Sequence, residues 1–146
     1  KSGLSKEYVK ENDQKLKSFK YKDNNDDRIF IAEEKVIKDL ARKESCIIVG
    51  RCADYILKDN KDTIKVFIYS SDTDKINRAV KYYGLAKDKA LKQIKKINND
   101  RAKHYRYYTN RDWYDLSNYD IALNVDYLGV EQTAESLKQI VEEVNH

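Results

Sequence analysis

The 146-residue chain contains no proline and no methionine, only four glycines and only two cysteines. Average usage would give roughly seven prolines in this length. Without methionine, Lys1 is not a natural translation start, which points to a chain that continues upstream. Cys46 and Cys52 cannot form a disulfide framework, and without Cys or His partners nearby they do not make a zinc site. Their usage fits a reducing cytoplasm. No run approaches 18 apolar residues, so no transmembrane helix is expected, and no signal peptide is visible. Gly3, Gly50, Gly84 and Gly129 lie too far apart for either glycine-rich phosphate cradle, G-x-x-x-x-G-K-[ST] or G-x-G-x-x-G. A one-sided charge excess is also missing. The 29 basic and 25 acidic residues leave +4, far from a histone-like tail.

What is present can fold. Apolar residues make up 40% and charged residues 37%, enough Ile, Leu, Val and Tyr for one domain spanning 1–146. Residues 4–17 read as a polar helix and 18–27 as a loop rich in Asp and Asn. Over 28–43, Ile29, Ala32, Val36, Ile37 and Leu40 recur at helical spacing, with Asp26 or Asp27 as cap. SCIIVG, residues 45–50, has the successive apolar positions of a strand covered on both faces. Gly50-Arg51 then turns the chain, and 52–58 suits a short helix. A second strand is expected at 64–69. Ser70-Ser71-Asp72 cap a helix over 72–83 that Gly84 stops. A long Lys/Arg helix follows over 86–108, then a loop over 109–118, a third strand over 119–125 and a helix over 130–144 opened by Gly129. Buried strands alternating with helices predict an α/β fold, a parallel sheet with helices on both faces.

Two places could carry chemistry. Arg51 directly follows a strand, where parallel sheets bind ligands, and its planar fork suits a phosphate. The other is DRAKHYRYYTNRDWYD, residues 100–115, which interleaves Arg101, Lys103, His104, Arg106 and Arg111 with Tyr105, Tyr107, Tyr108, Trp113 and Tyr114. Three readings stand. One is a non-catalytic nucleotide- or RNA-binding module, with cations on phosphates and rings on bases. Another is an anion clamp closing over nucleotide phosphates. The third is a solvated helix whose tyrosines pack with wet hydroxyls. Arg101, His104, Tyr105 and Tyr108 share one helical face. No Ser-His-Asp or Cys-His arrangement, paired-carboxylate signal or metal-ligand cluster emerges.

CIIVGRCADYIL (46–57), VFIYSSDTDKINRAV (66–80) and the stretch from Gly84 to Leu137 together resemble the bacterial cytidylate kinase-like family. The resemblance is carried by their order and spacing over about 110 residues, not by one motif. It implies a P-loop kinase-like fold, incomplete at the N-terminus, with a lid at about 84–112. The implied activity is ATP-dependent phosphorylation of CMP or dCMP, with Mg²⁺, in the full-length protein. The chain as given would be inactive, because the phosphate loop and most metal ligands would precede Lys1. The implied partner is a small nucleotide, without a membrane or nucleic acid. By the same resemblance, Arg51 holds the acceptor monophosphate and Arg78 lies near the donor phosphates. Arg101 reaches the transferring phosphoryl group, assisted by Arg106. Asn98 stands where the family often has an aspartate. It can still hydrogen-bond the substrate, but leaves the arginines less neutralised.

Overall fold

The computed structural model describes residues 25–144, so the helix expected at 4–17 and most of the loop expected at 18–27 lie outside the described residues. The chain divides into two compact units, one running to Lys61 and one beginning at Asp62.

In the first unit, α1 spans Asn25–Lys43 and α2 spans Ala53–Ile56. Asp26 and Asp27 in the first turn of α1, and Arg42 and Lys43 in the last, complement the helix dipole. The helix starts three residues earlier than the periodicity predicts. Asp27 therefore sits inside the first turn, and it is buried. Ile37 packs with Ala53 and Leu57, flanked by Ala41, Ile48 and Ile56. Ala32 is also buried, whereas Ile29, Val36 and Leu40 of the expected apolar face are exposed. The small core lies on the Ile37–Ala41 side, because α2 is short and covers only part of that face.

Residues 45–50 correct the sequence reading. They form no strand, and Ile47 is 95% exposed and Val49 86%. A strand is held by a ladder that satisfies its backbone groups. Among the described residues none pairs with this segment; only Ile48 reaches the core.

In the second unit, β1 (Val66–Tyr69) pairs in parallel with β2 (Ile121–Asn124), in a register running from Val66 opposite Ile121 to Tyr69 opposite Asn124. Asp120 secures the entry, its carboxylate accepting from the Lys65 amide at 2.7 Å. The class is α/β, helix-rich, with a small parallel sheet of two strands among the described residues. The strands are shorter than expected and not fully buried, with Ile68 and Tyr69 exposed. Two strands cannot enclose a sheet on their own.

The crossover from β1 to β2 carries α3 (Asp72–Tyr83) and α4 (Lys87–Thr109). The Ser71 hydroxyl accepts from the Asp74 amide at 3.2 Å, and Gly84 closes α3 at φ 63°. Ile76, Ala79 and Ala90 join the two helices, with Leu85, Leu91 and Ile94 around them. The alanines let the backbones approach, and Ala90 is fully buried.

The connection after α4 is tightly held. The Tyr119 hydroxyl donates to the Trp113 carbonyl at 2.9 Å, and the Asn118 amide group to the Asp112 carbonyl at 2.9 Å. The last helix, α5, spans Val125–Val144 and breaks at Gly129, where φ is 73° and ψ 170°. Its second part is the helix expected over 130–144, but Val130, Ala134 and Val141 of the expected apolar face are exposed. No described helix is long and apolar enough to cross a membrane.

Candidate functional site

Because β1 and β2 run in parallel, their carboxyl ends lie at one edge of the sheet. In α/β proteins that edge is where ligands bind. The residues immediately beyond it, Ser70-Ser71 after β1 and Val125-Asp126 after β2, are held together. Asp126 Oδ2 accepts from the Ser71 amide at 2.8 Å. The Asn124 side chain in turn accepts from the Asp126 amide at 3.0 Å. The Asp126 carboxyl is held down to about 2, first by the Ser71 amide and then by the Ser70 hydroxyl. About two turns further along the chain, Arg78 Nη2 donates to Ser70 Oγ at 2.9 Å.

An open groove of about 260 Å³ lies alongside, lined by Asn77, Arg78, Lys81, Tyr82, Asp126 and Gly129 among others. Gly129, one of the lining residues, breaks the last helix beside the groove. A φ of 73° with ψ of 170° is a region that only glycine occupies readily. The break it introduces separates residues 125–128 from the rest of α5. The groove sets two cations, Arg78 and Lys81, beside two carboxylates, Asp74 and Asp126, with the Asn77 amide and the Tyr82 phenol also lining it.

The other sequence-predicted residues fall in two places. Arg51 lies in the first unit, in a run of three left-handed residues: Gly50 at φ 72°, Arg51 at 57° and Cys52 at 54°. Two of the three carry a Cβ, so this turn stores strain, as backbones at functional sites often do. Arg51 Nη1 reaches Glu33 Oε1 at 3.2 Å, with most of the side chain exposed. Cys52 is buried. Its thiol is pushed up to about 12, first by burial and then by the Asp54 and Glu33 charges, which rules it out as a nucleophile at neutral pH.

Asn98, Arg101 and Arg106 all lie on α4. Asn98 is half-buried and the two arginines are exposed. Among the described residues the three side chains make no hydrogen bond or ion pair, and Asp100 does not pair with Arg101. Asn98 and Arg101 share a stripe with buried Tyr105, whereas Arg106 follows Arg101 by five residues, about 140° round the helix.

The aromatic part of 100–115 is used for packing only in part: Tyr105 is buried and Trp113 half-buried, whereas Tyr107 and Tyr114 are exposed. Phe67 of β1 meets Trp113 edge-on at 5.6 Å, Tyr114 at 6.5 Å and Tyr119 at 4.9 Å. Trp113, engaged this way, is poorly placed to stack a base, which counts against the RNA-binding reading. No group of three or more His, Cys, Asp or Glu that could hold a metal is found among the described residues. The carboxylates at the groove are Asp74 and Asp126, and Asp126 is spent on Ser71. These residues do not by themselves fit a Mg²⁺ site, so no step is derived through that ion.

Sequence reasoning missed Ser70 and Asp126 as site residues, treating Ser70 only as a helix cap. Their signal was positional, a polar residue directly after each predicted strand.

A model of the cytidylate kinase-like family matches residues 1–127. Among curated proteins, none matches the chain. One similar solved structure is the crystal structure of an uncharacterized protein from Eubacterium ventriosum ATCC 27560. It is 29% identical, with a TM-score of 0.76 over 96% of this chain and 83% of that one.

Proposed function

The chain belongs to the cytidylate kinase-like family, and from that membership we propose that it serves ATP-dependent phosphoryl transfer to a nucleoside monophosphate, CMP or dCMP. A nucleotide kinase-like role follows from the family; the acceptor, the donor and the residue roles are our reading. On it, the sheet is part of a P-loop kinase-like fold in a single domain, and residues 84–112 act as its lid.

In such a reaction an oxygen of the acceptor phosphate attacks the γ-phosphorus in line. The bond to the bridging oxygen breaks, and ADP leaves. Most of the catalysis is positioning and charge. Arginines serve this without a histidine base. Arg51 grips the acceptor phosphate, Arg78 faces the donor phosphates, and Arg101 meets the charge that builds on the transferring group, with Arg106 assisting. Asn98 offers a hydrogen bond to the acceptor. Mg²⁺ would neutralise the donor phosphates when bound with ATP.

The observation that carries the reading is Arg78 at the carboxyl edge of two parallel strands, in a chain of this family. Arg101→Lys in the full-length protein tests the role assigned to that arginine in the transfer. The variant keeps a charge but loses the planar fork. A loss of roughly 10²–10³-fold in kcat is expected, the scale of one preorganised donor. KM for the monophosphate should change far less, which marks an interaction made in the transition state. An unchanged kcat would refute the assigned role.

A further inference from the structure

Arg78 is fixed without being neutralised. Among the described residues its guanidinium makes one hydrogen bond, to the nearly buried Ser70 hydroxyl at 2.9 Å, and no ion pair with Asp74 or Asp126. A carboxylate partner would cancel much of its charge. A hydroxyl orients it and leaves the charge whole, with most of its five donors free. The hydroxyl accepts from Arg78 and keeps one proton of its own, with the Ser71 carbonyl 3.3 Å away. Ser71 is tied down in turn, its amide donating to Asp126 Oδ2 at 2.8 Å. The three contacts make one chain from the end of β2 to the end of β1 to the groove.

We infer that Ser70 and Asp126 are positioning residues that set the Arg78 guanidinium at the lip of the carboxyl-edge groove, to receive a phosphate group of a bound nucleotide. The inference deepens the kinase reading and rests on it for the identity of the ligand. Neither residue touches the reacting atoms. Ser70 supplies the oxygen that aims Arg78, and Asp126 holds the Ser70-Ser71 backbone so that this oxygen stays in place. Asp126 remains charged throughout the neutral range, its carboxyl held down to about 2 by these same contacts.

The test uses the full-length protein, with inorganic pyrophosphate as probe and arginine side-chain NMR as readout. Arg78→Lys identifies the Arg78 signal by its loss. In the wild type, pyrophosphate shifts that signal. Ser70→Ala and Asp126→Asn should weaken the response about tenfold, the scale of one lost hydrogen bond, while Ser70→Thr restores it. KM for ATP should rise by the same factor, with kcat and KM for the monophosphate unchanged. A merely structural role would move all three constants together. Ser70→Ala removes one oxygen and stays informative if Asp126→Asn fails to fold. Equal pyrophosphate affinity in wild type and Ser70→Ala overturns the inference, even if the protein proves an active kinase. If no nucleotide is phosphorylated but pyrophosphate still separates the variants, the kinase reading fails and the positioning pair stands.

Discussion

Arg51 allows stability and binding to be separated in one residue. Its left-handed backbone, φ 57° beside Cys52 at 54°, costs a residue with a Cβ roughly 1–2 kcal/mol. Arg51→Gly removes that cost, against roughly 0.5–1 kcal/mol of extra chain entropy for glycine. Both Arg51→Gly and Arg51→Ala lose the exposed ion pair with Glu33, worth about 0–1 kcal/mol. Only the alanine variant keeps the strain. The glycine variant should therefore be the more stable of the two by about 1 kcal/mol, or roughly 3 °C in melting temperature for a chain of this size. If Arg51 grips the acceptor phosphate, both variants lose CMP affinity alike. The loss is about 1.5–3 kcal/mol, the scale of a hydrogen bond to a charged group, or roughly 10–150-fold. Thermal melts and calorimetric CMP titrations of the two variants in the full-length protein decide it. A glycine variant that melts below the alanine variant refutes the strain argument. One that binds CMP like the wild type refutes the phosphate role.

Three further outcomes are expected. Gly129→Ala should destabilise by about 1–3 kcal/mol, because a Cβ there meets open space and the whole cost is backbone; a denaturant midpoint equal to wild type would contradict this. Iodoacetamide at pH 8 should label Cys46, which is exposed, and spare Cys52, whose buried thiol is pushed up to about 12; equal labelling by peptide mass spectrometry would count against that environment. Asp126 titrates near 2 when folded and at about 3.9 when unfolded. Its stabilising contribution is full above the unfolded value and is lost as pH falls through the folded one. The urea-midpoint gap between wild type and Asp126→Asn should be open at pH 5 and closing by pH 2, and a gap that does not depend on pH would contradict the assignment.

Local signals in the sequence located the helices well. Ser71 before Asp72 and Gly84 after Tyr83 mark α3 at both ends, because a cap hydroxyl and a left-handed stop act within a few residues. The Lys/Arg helix was legible to within one residue at each end for a similar reason, its length and periodicity outweighing its weak N-cap. Pairing is not local. IKVFIY and YDIALNV announced strands, and the structure pairs them in parallel. CIIVG carries the same composition and forms no strand, because composition does not supply a ladder partner. The short helical piece before Gly129 was missed, since the Asn124 side chain that caps it sits inside the predicted strand. The candidate site was half legible. Arg78 was named from resemblance, but the Ser70 hydroxyl that aims it and the Asp126 carboxylate behind that hydroxyl lie 8 and 48 positions away from Arg78. Nothing in local patterning joins them. The left-handed run at Gly50–Cys52 was equally hidden, because Arg and Cys carry no preference for that conformation.

The most direct test of the central claim is transfer itself. The full-length protein is incubated with Mg²⁺ and ATP labelled at the γ-phosphate, with CMP, dCMP, UMP or AMP as acceptor, and the products are separated by chromatography. The account predicts label in CDP and dCDP, formed at about 1–100 per second. Label that stays in ATP with every acceptor, or that appears only in inorganic phosphate, would contradict it.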